Sequence, residues 1–177
     1  MPYLFVLAAV VLRLLPHPWN ATPLGAMFLF GGATFLSKRD SLLVPLAALL
    51  VSDVAVDRIL YHGTVTWFSP WTWSAFLLVG MIGWALRNKI NAGRVIVGTL
   101  AGSIVFFLVS NFGVWAAGQM YPRTAAGLAE CYSAAVPFVR ETLLGDLAYS
   151  AVMFGTYAWL CERKLRQITP AAAPQTR

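Results

Sequence analysis

The stretch SLLVPLAALLVSDVAVDR, Ser41 to Arg58, decides the fold. It begins as the apolar run SLLVPLAALLV and closes on three ionisable groups, Asp53, Asp57 and Arg58. Such a run belongs to a helix that is either wholly buried or crosses a bilayer, and charges inside one need a reason to be there. The rest of the chain chooses between the two. Hydrophobic residues make up 59% of the sequence and charged ones 11%, and the mean hydropathy is +0.68, well outside the range of a soluble globular domain.

The chain therefore reads as an all-α integral membrane protein. At about 20 residues per crossing, its 177 residues suffice for a compact bundle of six transmembrane helices. A separate catalytic domain has no room. A β-barrel would show alternating apolar segments of about ten residues, whereas these runs are continuous and rich in Leu, Ala, Val, Phe and Gly. The predicted helices are Tyr3 to Leu15, Pro23 to Leu36, Ser41 to Leu60, Trp71 to Leu86, Arg94 to Gly118 and Phe138 to Leu160. Residues 1–166 form one domain and 167–177 a flexible cytoplasmic tail. The first two helices are short for a hydrocarbon core of about 30 Å, and three prolines in PHPWNATP forbid a continuous helix between them. Arg13 interrupts the first apolar run and no small-residue cleavage site follows, so this segment is predicted to be a mature helix rather than a secretory signal.

Loop charges give the orientation. Nine of the thirteen basic residues fall in alternate connections: Lys38 and Arg39, then Arg87, Lys89 and Arg94, then Arg163, Lys164, Arg166 and Arg177. The positive-inside rule puts these segments and both termini in the cytoplasm. The net charge of +6 thus concerns topology, and nucleic acid is not an expected partner.

The remaining polar groups collect toward the outer side. His17 follows helix 1, Asp53 and Asp57 end helix 3, His62 follows them, and Arg140 and Glu141 begin helix 6. Asp53 and Asp57 are spaced i, i+4 and share a helix face. Intramembrane charges face a bundle interior or a watery cavity and pair with one another, so Asp53 or Asp57 is expected to meet Arg13 or Arg140. The plainer reading is snorkelling at helix ends or a structural ion pair. Asp53, about two turns inside the boundary, is too short to snorkel, which favours a pocket.

Aromatic residues point to the same side. The segment YHGTVTWFSPWTWS carries Tyr61, Trp67, Phe68, Trp71 and Trp73, a pattern shared by interfacial belts and by loops that cap a ligand. Asn111, in SNFGVW, is an amide inside an apolar span, suited either to gluing helices or to touching a ligand. Gly98 and Gly102 are a small-xxx-small pair that favours close packing. The connection QMYPRTAAGLAECYSAAVP is expected to be part-helical between Thr124 and Ala135 and to serve as a lid. In helix 6, Asp146 is placed more deeply than Glu141.

No HExxH, CxxC, phosphate-binding loop or GxSxG occurs. Cys131 and Cys161 are predicted on opposite sides and cannot pair within one chain. No enzymatic activity, no resident cofactor and no metal site are expected. An outer pair of acids acting in general acid/base chemistry is the least favoured alternative.

The strings RLLPHPWNATPLGAMFLFGGATF, the SD of helix 3, SNFGVW, and YPRTAAGLAECYSAAVPFVRETLLGDLAY together resemble a family of small bacterial membrane proteins of unassigned function. That family is similar in size and helix pattern to the substrate-binding S components of energy-coupling-factor (ECF) vitamin transporters. The resemblance covers most of residues 13 to 157 and looks closest to the solitary cobalamin transporters. It implies six helices, an outward pocket closed by loops, and toppling in the membrane to release a vitamin inside. The Ala-xxx-Ala docking pattern of typical S components is absent from helix 1, where Ala8 is followed four residues on by Leu12 and Ala9 by Arg13. This argues against a dedicated energising ATPase module. The cysteine with which the cobalamin branch ligates cobalt has no counterpart in residues 59 to 76, which leaves His17 or His62 as a cobalt ligand if cobalamin binds.

The expectation from sequence is thus import of a small vitamin-like molecule, cobalamin or a related compound. The substrate-binding set is His17, Asp53, Asp57, His62, Trp67, Trp71, Trp73, Asn111 and Arg140. The competing expectation is a structural or accessory membrane subunit with no ligand.

Overall fold

The computed structural model describes residues 1–15, 21–60, 62 and 69–168. Among the described residues it is all-helical, with six helices and no strand: α1 Pro2–Leu14, α2 Leu24–Thr34, α3 Lys38–Leu60, α4 Pro70–Trp84, α5 Ala92–Ala117 and α6 Ala125–Ile168. The starts carry local signals. Pro70 opens α4 behind Ser69, whose side chain accepts from the Thr72 N–H at 3.3 Å. Asn91 caps α5 by accepting from the Arg94 N–H at 2.9 Å.

Successive helices run up and down. At one end Tyr3 of α1 meets Phe35 edge to face at 4.7 Å between ring centroids. There Arg87 Nε donates to Gly32 O in the last turn of α2 at 2.8 Å and Nη1 to Leu36 O just beyond it at 3.4 Å. Lys38 lies over the Trp84 ring, and Ile90 and Ala158 share a groove. The basic residues of both short turns, and by their position on α6 Arg163, Lys164 and Arg166, therefore gather at this end. Arg177 lies outside the described residues. The opposite end holds Arg13, Asp53, Thr22, Trp71 and Asn111.

The centre of the bundle is α2. Nine of its eleven residues are buried, and it packs against all five other helices. Its crossing with α4 is a backbone contact: a Cβ at Gly32 would strike the Gly80 carbonyl, and one at Gly83 would strike the Leu29 carbonyl, so only glycine permits the approach. Phe28 then stacks on Phe76 of α4 at 5.2 Å, and Phe30 meets Phe154 and Tyr157 of α6 edge to face. The expected small-xxx-small contact is present on α5, where Gly102 faces Val79 and Gly98 faces Leu86.

The first five helices lie within a few residues of their predicted spans. The sixth is corrected. The stretch expected to be helical between Thr124 and Ala135 is helical, but it does not end before the helix predicted from Phe138: one helix of 44 residues runs from Ala125 to Ile168 with Pro137 inside it. Its first turns are rich in helix-favouring Ala, Leu and Glu, and they are fastened to α5: Tyr132 Oη donates to Leu108 O at 2.7 Å and Cys131 is buried. These contacts offset the backbone hydrogen bond that Pro137 forgoes. The helix also takes in the first two residues of the expected tail; residues 169–177 lie outside the described part.

One helix, α5, is long and apolar enough to cross a membrane, with a hydropathy of 2.1. The helices α1 and α2 are apolar but have only 13 and 11 residues.

Candidate functional site

Two adjoining cavities lie toward the end opposite the basic turns. The first, of about 180 Å³, is enclosed by α2, α4, α5 and α6 and walled by Gly25, Thr72, Phe76, Ser103, Phe106, Thr142 and Asp146. The second, of about 200 Å³, shares Ser103, Phe106 and Thr142 and continues outward between α5 and α6 past Ser110, Asn111 and Phe138.

At the floor is Asp146, 8% exposed. The Ser103 hydroxyl donates to its Oδ2 at 2.6 Å. At that distance it is a well-formed O–H···O bond. Gly25 of α2 makes the position possible, because a Cβ there would run into Asp146 Oδ1. Below, Thr99 Oγ1 donates to Ser150 Oγ at 3.0 Å, so the polar seam continues along the α5–α6 interface. Higher in the wall, Thr72 Oγ1 donates to Ser69 Oγ at 3.0 Å and Thr142 Oγ1 to Phe138 O at 3.1 Å. Phe76 and Phe106, with ring centroids 4.6 Å apart, form the apolar side.

The residues singled out in the sequence separate into groups. Asp53, 5% exposed, faces α1, where its Oδ1 lies 2.6 Å from Arg13 Nη2. Arg13 Nη1 also donates to Ser52 Oγ at 2.5 Å, and Ser52 Oγ to Leu49 O at 2.9 Å. One of the expected ion pairs therefore exists, as a clamp between α1 and α3, and Asp53 lines neither cavity. Asp57 is partly buried one turn further along α3 and lines neither. Arg140 is exposed on α6 and His62 is exposed in a turn with φ of 54°, so the structure brings neither to the cavities. Trp71 packs edge to face on Phe112 at 5.2 Å and against Gly113, fixing α4 to α5. Trp73 packs on the apolar core. His17 and Trp67 lie outside the described residues.

Among the described members of the set, Asn111 is the one that lines either cavity. Its Nδ2 donates to Phe107 O at 2.8 Å while the side chain lines the outer cavity. Sequence reasoning missed Ser103, Thr142 and Thr72 and left Asp146 out of the binding set. A signal was present in the four-residue spacing of Thr142, Asp146 and Ser150, which puts three polar groups on one face of an apolar helix. Among the described residues no group of three or more His, Cys, Asp or Glu side chains could hold a metal ion.

The sequence model of DUF6580, a family of unknown function, matches residues 1–171, and the chain belongs to that family. No curated protein and no solved structure matches it.

Proposed function

We propose that this DUF6580 member is a multi-pass membrane protein that binds a small molecule in the outward cavity above Asp146 and carries it into the cell. The bilayer reading rests on an inverted surface. Leu4, Leu7 and Val11 of α1, Leu50, Val51 and Val54 of α3, and Ile96, Val97 and Ile104 of α5 are exposed, while Ser52, Asp53, Thr99, Ser103, Asp146 and Ser150 are buried. In water that distribution is costly; in lipid it is the stable one. The concentration of Lys and Arg at one end supports a cytoplasmic face there.

The observation that carries the binding function is a polar floor under an apolar, aromatic-walled cavity, the usual make-up of a ligand site. Its volume of about 180 Å³ favours a small ligand. A corrinoid is several times larger than either cavity, which weighs against cobalamin. The Arg13–Asp53 clamp supports the structural reading for that pair alone, since it lies away from the cavities.

The test is to purify the full chain in mild detergent, denature it and identify released small molecules by mass spectrometry, beside a variant whose cavity is filled by Ser103→Leu. A stoichiometric metabolite released from the wild type and absent from the folded variant supports binding. Visible absorbance would mark a corrinoid. No released compound, together with unchanged metabolite uptake in cells lacking the protein, overturns the proposal.

A further inference from the structure

Two carboxylates are more than nine-tenths buried, Asp53 at 5% and Asp146 at 8% exposure, and the bundle treats them differently. Asp53 is matched by the Arg13 guanidinium at 2.6 Å. Asp146 receives one neutral hydroxyl, from Ser103. Among the described residues lining the two cavities, none is basic. Taking a carboxylate out of water is expensive unless an opposite charge comes with it, and one hydroxyl does not supply that charge.

The hydroxyls around it are committed in a telling direction. Thr72 gives its hydrogen to Ser69 Oγ, Thr142 to Phe138 O, and Thr99 to Ser150 Oγ, while the single Ser103 hydrogen has two acceptors in reach, Asp146 Oδ2 at 2.6 Å and Thr99 O at 3.0 Å. What Thr72 and Thr142 retain for the cavity is oxygen lone pairs. Apart from the Thr22 hydroxyl and the second Nδ2 hydrogen of Asn111 in the adjoining cavity, the described wall therefore offers acceptors rather than donors. Its complement is a ligand group with several donors, no acceptor and a positive charge, which describes an ammonium group. The Phe76 and Phe106 rings, lining the same space, suit an apolar body and favour a cation beside their faces.

We infer that the cavity takes a small organic cation, a protonated amine, whose charge is met by Asp146 and whose apolar part rests on Phe76 and Phe106. The inference depends on the binding function proposed above and adds the class of substrate. The bundle leaves one charge open, and the ligand closes it.

The experiment is a melting-temperature titration of the purified full chain at neutral pH with benzylamine and 2-phenylethylamine, beside their neutral counterparts benzyl alcohol and 2-phenylethanol and the anions benzoate and phenylacetate. Wild-type protein is expected to be stabilised by the amines at least tenfold more potently than by the alcohols, and not by the anions. In Asp146→Asn, which keeps the shape and an acceptor for Ser103, the amine preference should vanish. Thr142→Val retains the charge and loses an acceptor, so amine binding should weaken several-fold; it carries the test if Asp146→Asn does not fold. Equal stabilisation by amines and alcohols, or an amine preference that survives both substitutions, overturns the cation assignment and leaves small-molecule binding standing. If none of the six compounds stabilises the wild type, the cation assignment also falls, and the released-metabolite experiment decides separately whether the cavity binds anything.

Discussion

Arg13 Nη2 and Asp53 Oδ1 are 2.6 Å apart, with side chains only 11% and 8% exposed, and they join the end of α1 to α3. Removing one partner of a buried pair strands the other, at about 3–5 kcal/mol. Arg13→Ala and Asp53→Asn should each lower the unfolding free energy in detergent by about that much, whereas Arg13→Leu with Asp53→Leu should recover most of it. The double variant should also keep transport. Loss of ligand binding in a stably folded double variant would return Asp53 to the binding site.

Gly25 and Asp146 occupy one space from two helices. Gly25→Ala places a methyl on the Asp146 carboxylate, and overpacking of this kind costs about 1–3 kcal/mol. The expected result is a lower melting temperature and weaker binding. Adding Asp146→Ala should restore stability and leave binding abolished. If Gly25→Ala alone melts like the wild type, the close contact is not the constraint described.

Ser103→Ala withdraws the single hydroxyl donor from Asp146. An orphaned buried acceptor costs about 1–3 kcal/mol, toward the upper end for a charged group. Chemical unfolding in detergent measures the stability loss, and ligand affinity should fall in the same variant because the carboxylate is no longer held in place. Ser103→Thr, which retains the hydroxyl, should recover at least part of both.

The arrangement of the ends is open to a labelling test. In a Cys131→Ser, Cys161→Ser background, Lys89→Cys should be protected from a membrane-impermeant thiol reagent in intact spheroplasts and Arg123→Cys should be labelled. The reverse pattern would invert the protein, and labelling of both or neither would remove the multi-pass reading.

Much of the fold is legible in the sequence because its units are. Each of the first five helices is an apolar run bounded by Pro, Gly, Asn or a basic residue, and those boundaries act locally. The Arg13–Asp53 pair is legible for a similar reason: few charges occur in these runs, so each has few candidates to meet. The join in the sixth helix is misread because Pro137 is an ordinary breaker, and the docking of Tyr132 and Cys131 on α5 overrides it. The cavity is hidden for a different reason. Thr72, Ser103 and Thr142 each look like a hydroxyl satisfied within its own helix. Their meeting with Asp146 around one cavity depends on the register of α5 against α6 and on the missing side chain at Gly25, neither of which is written in any one segment.

The enclosure of α2 also bears on how the molecule is made. Eleven residues of helix span about 16 Å, roughly half of a hydrocarbon core, and nearly every one is covered by a neighbouring helix. On the membrane reading, a segment so short has no stable resting place in lipid by itself. It must wait, sheltered near α1 or within the insertion machinery, until α4 and α6 have been synthesised. The central helix is among the earliest to leave the ribosome and among the last to reach its final surroundings, so truncating the nascent chain before α6 should leave α2 accessible to protease.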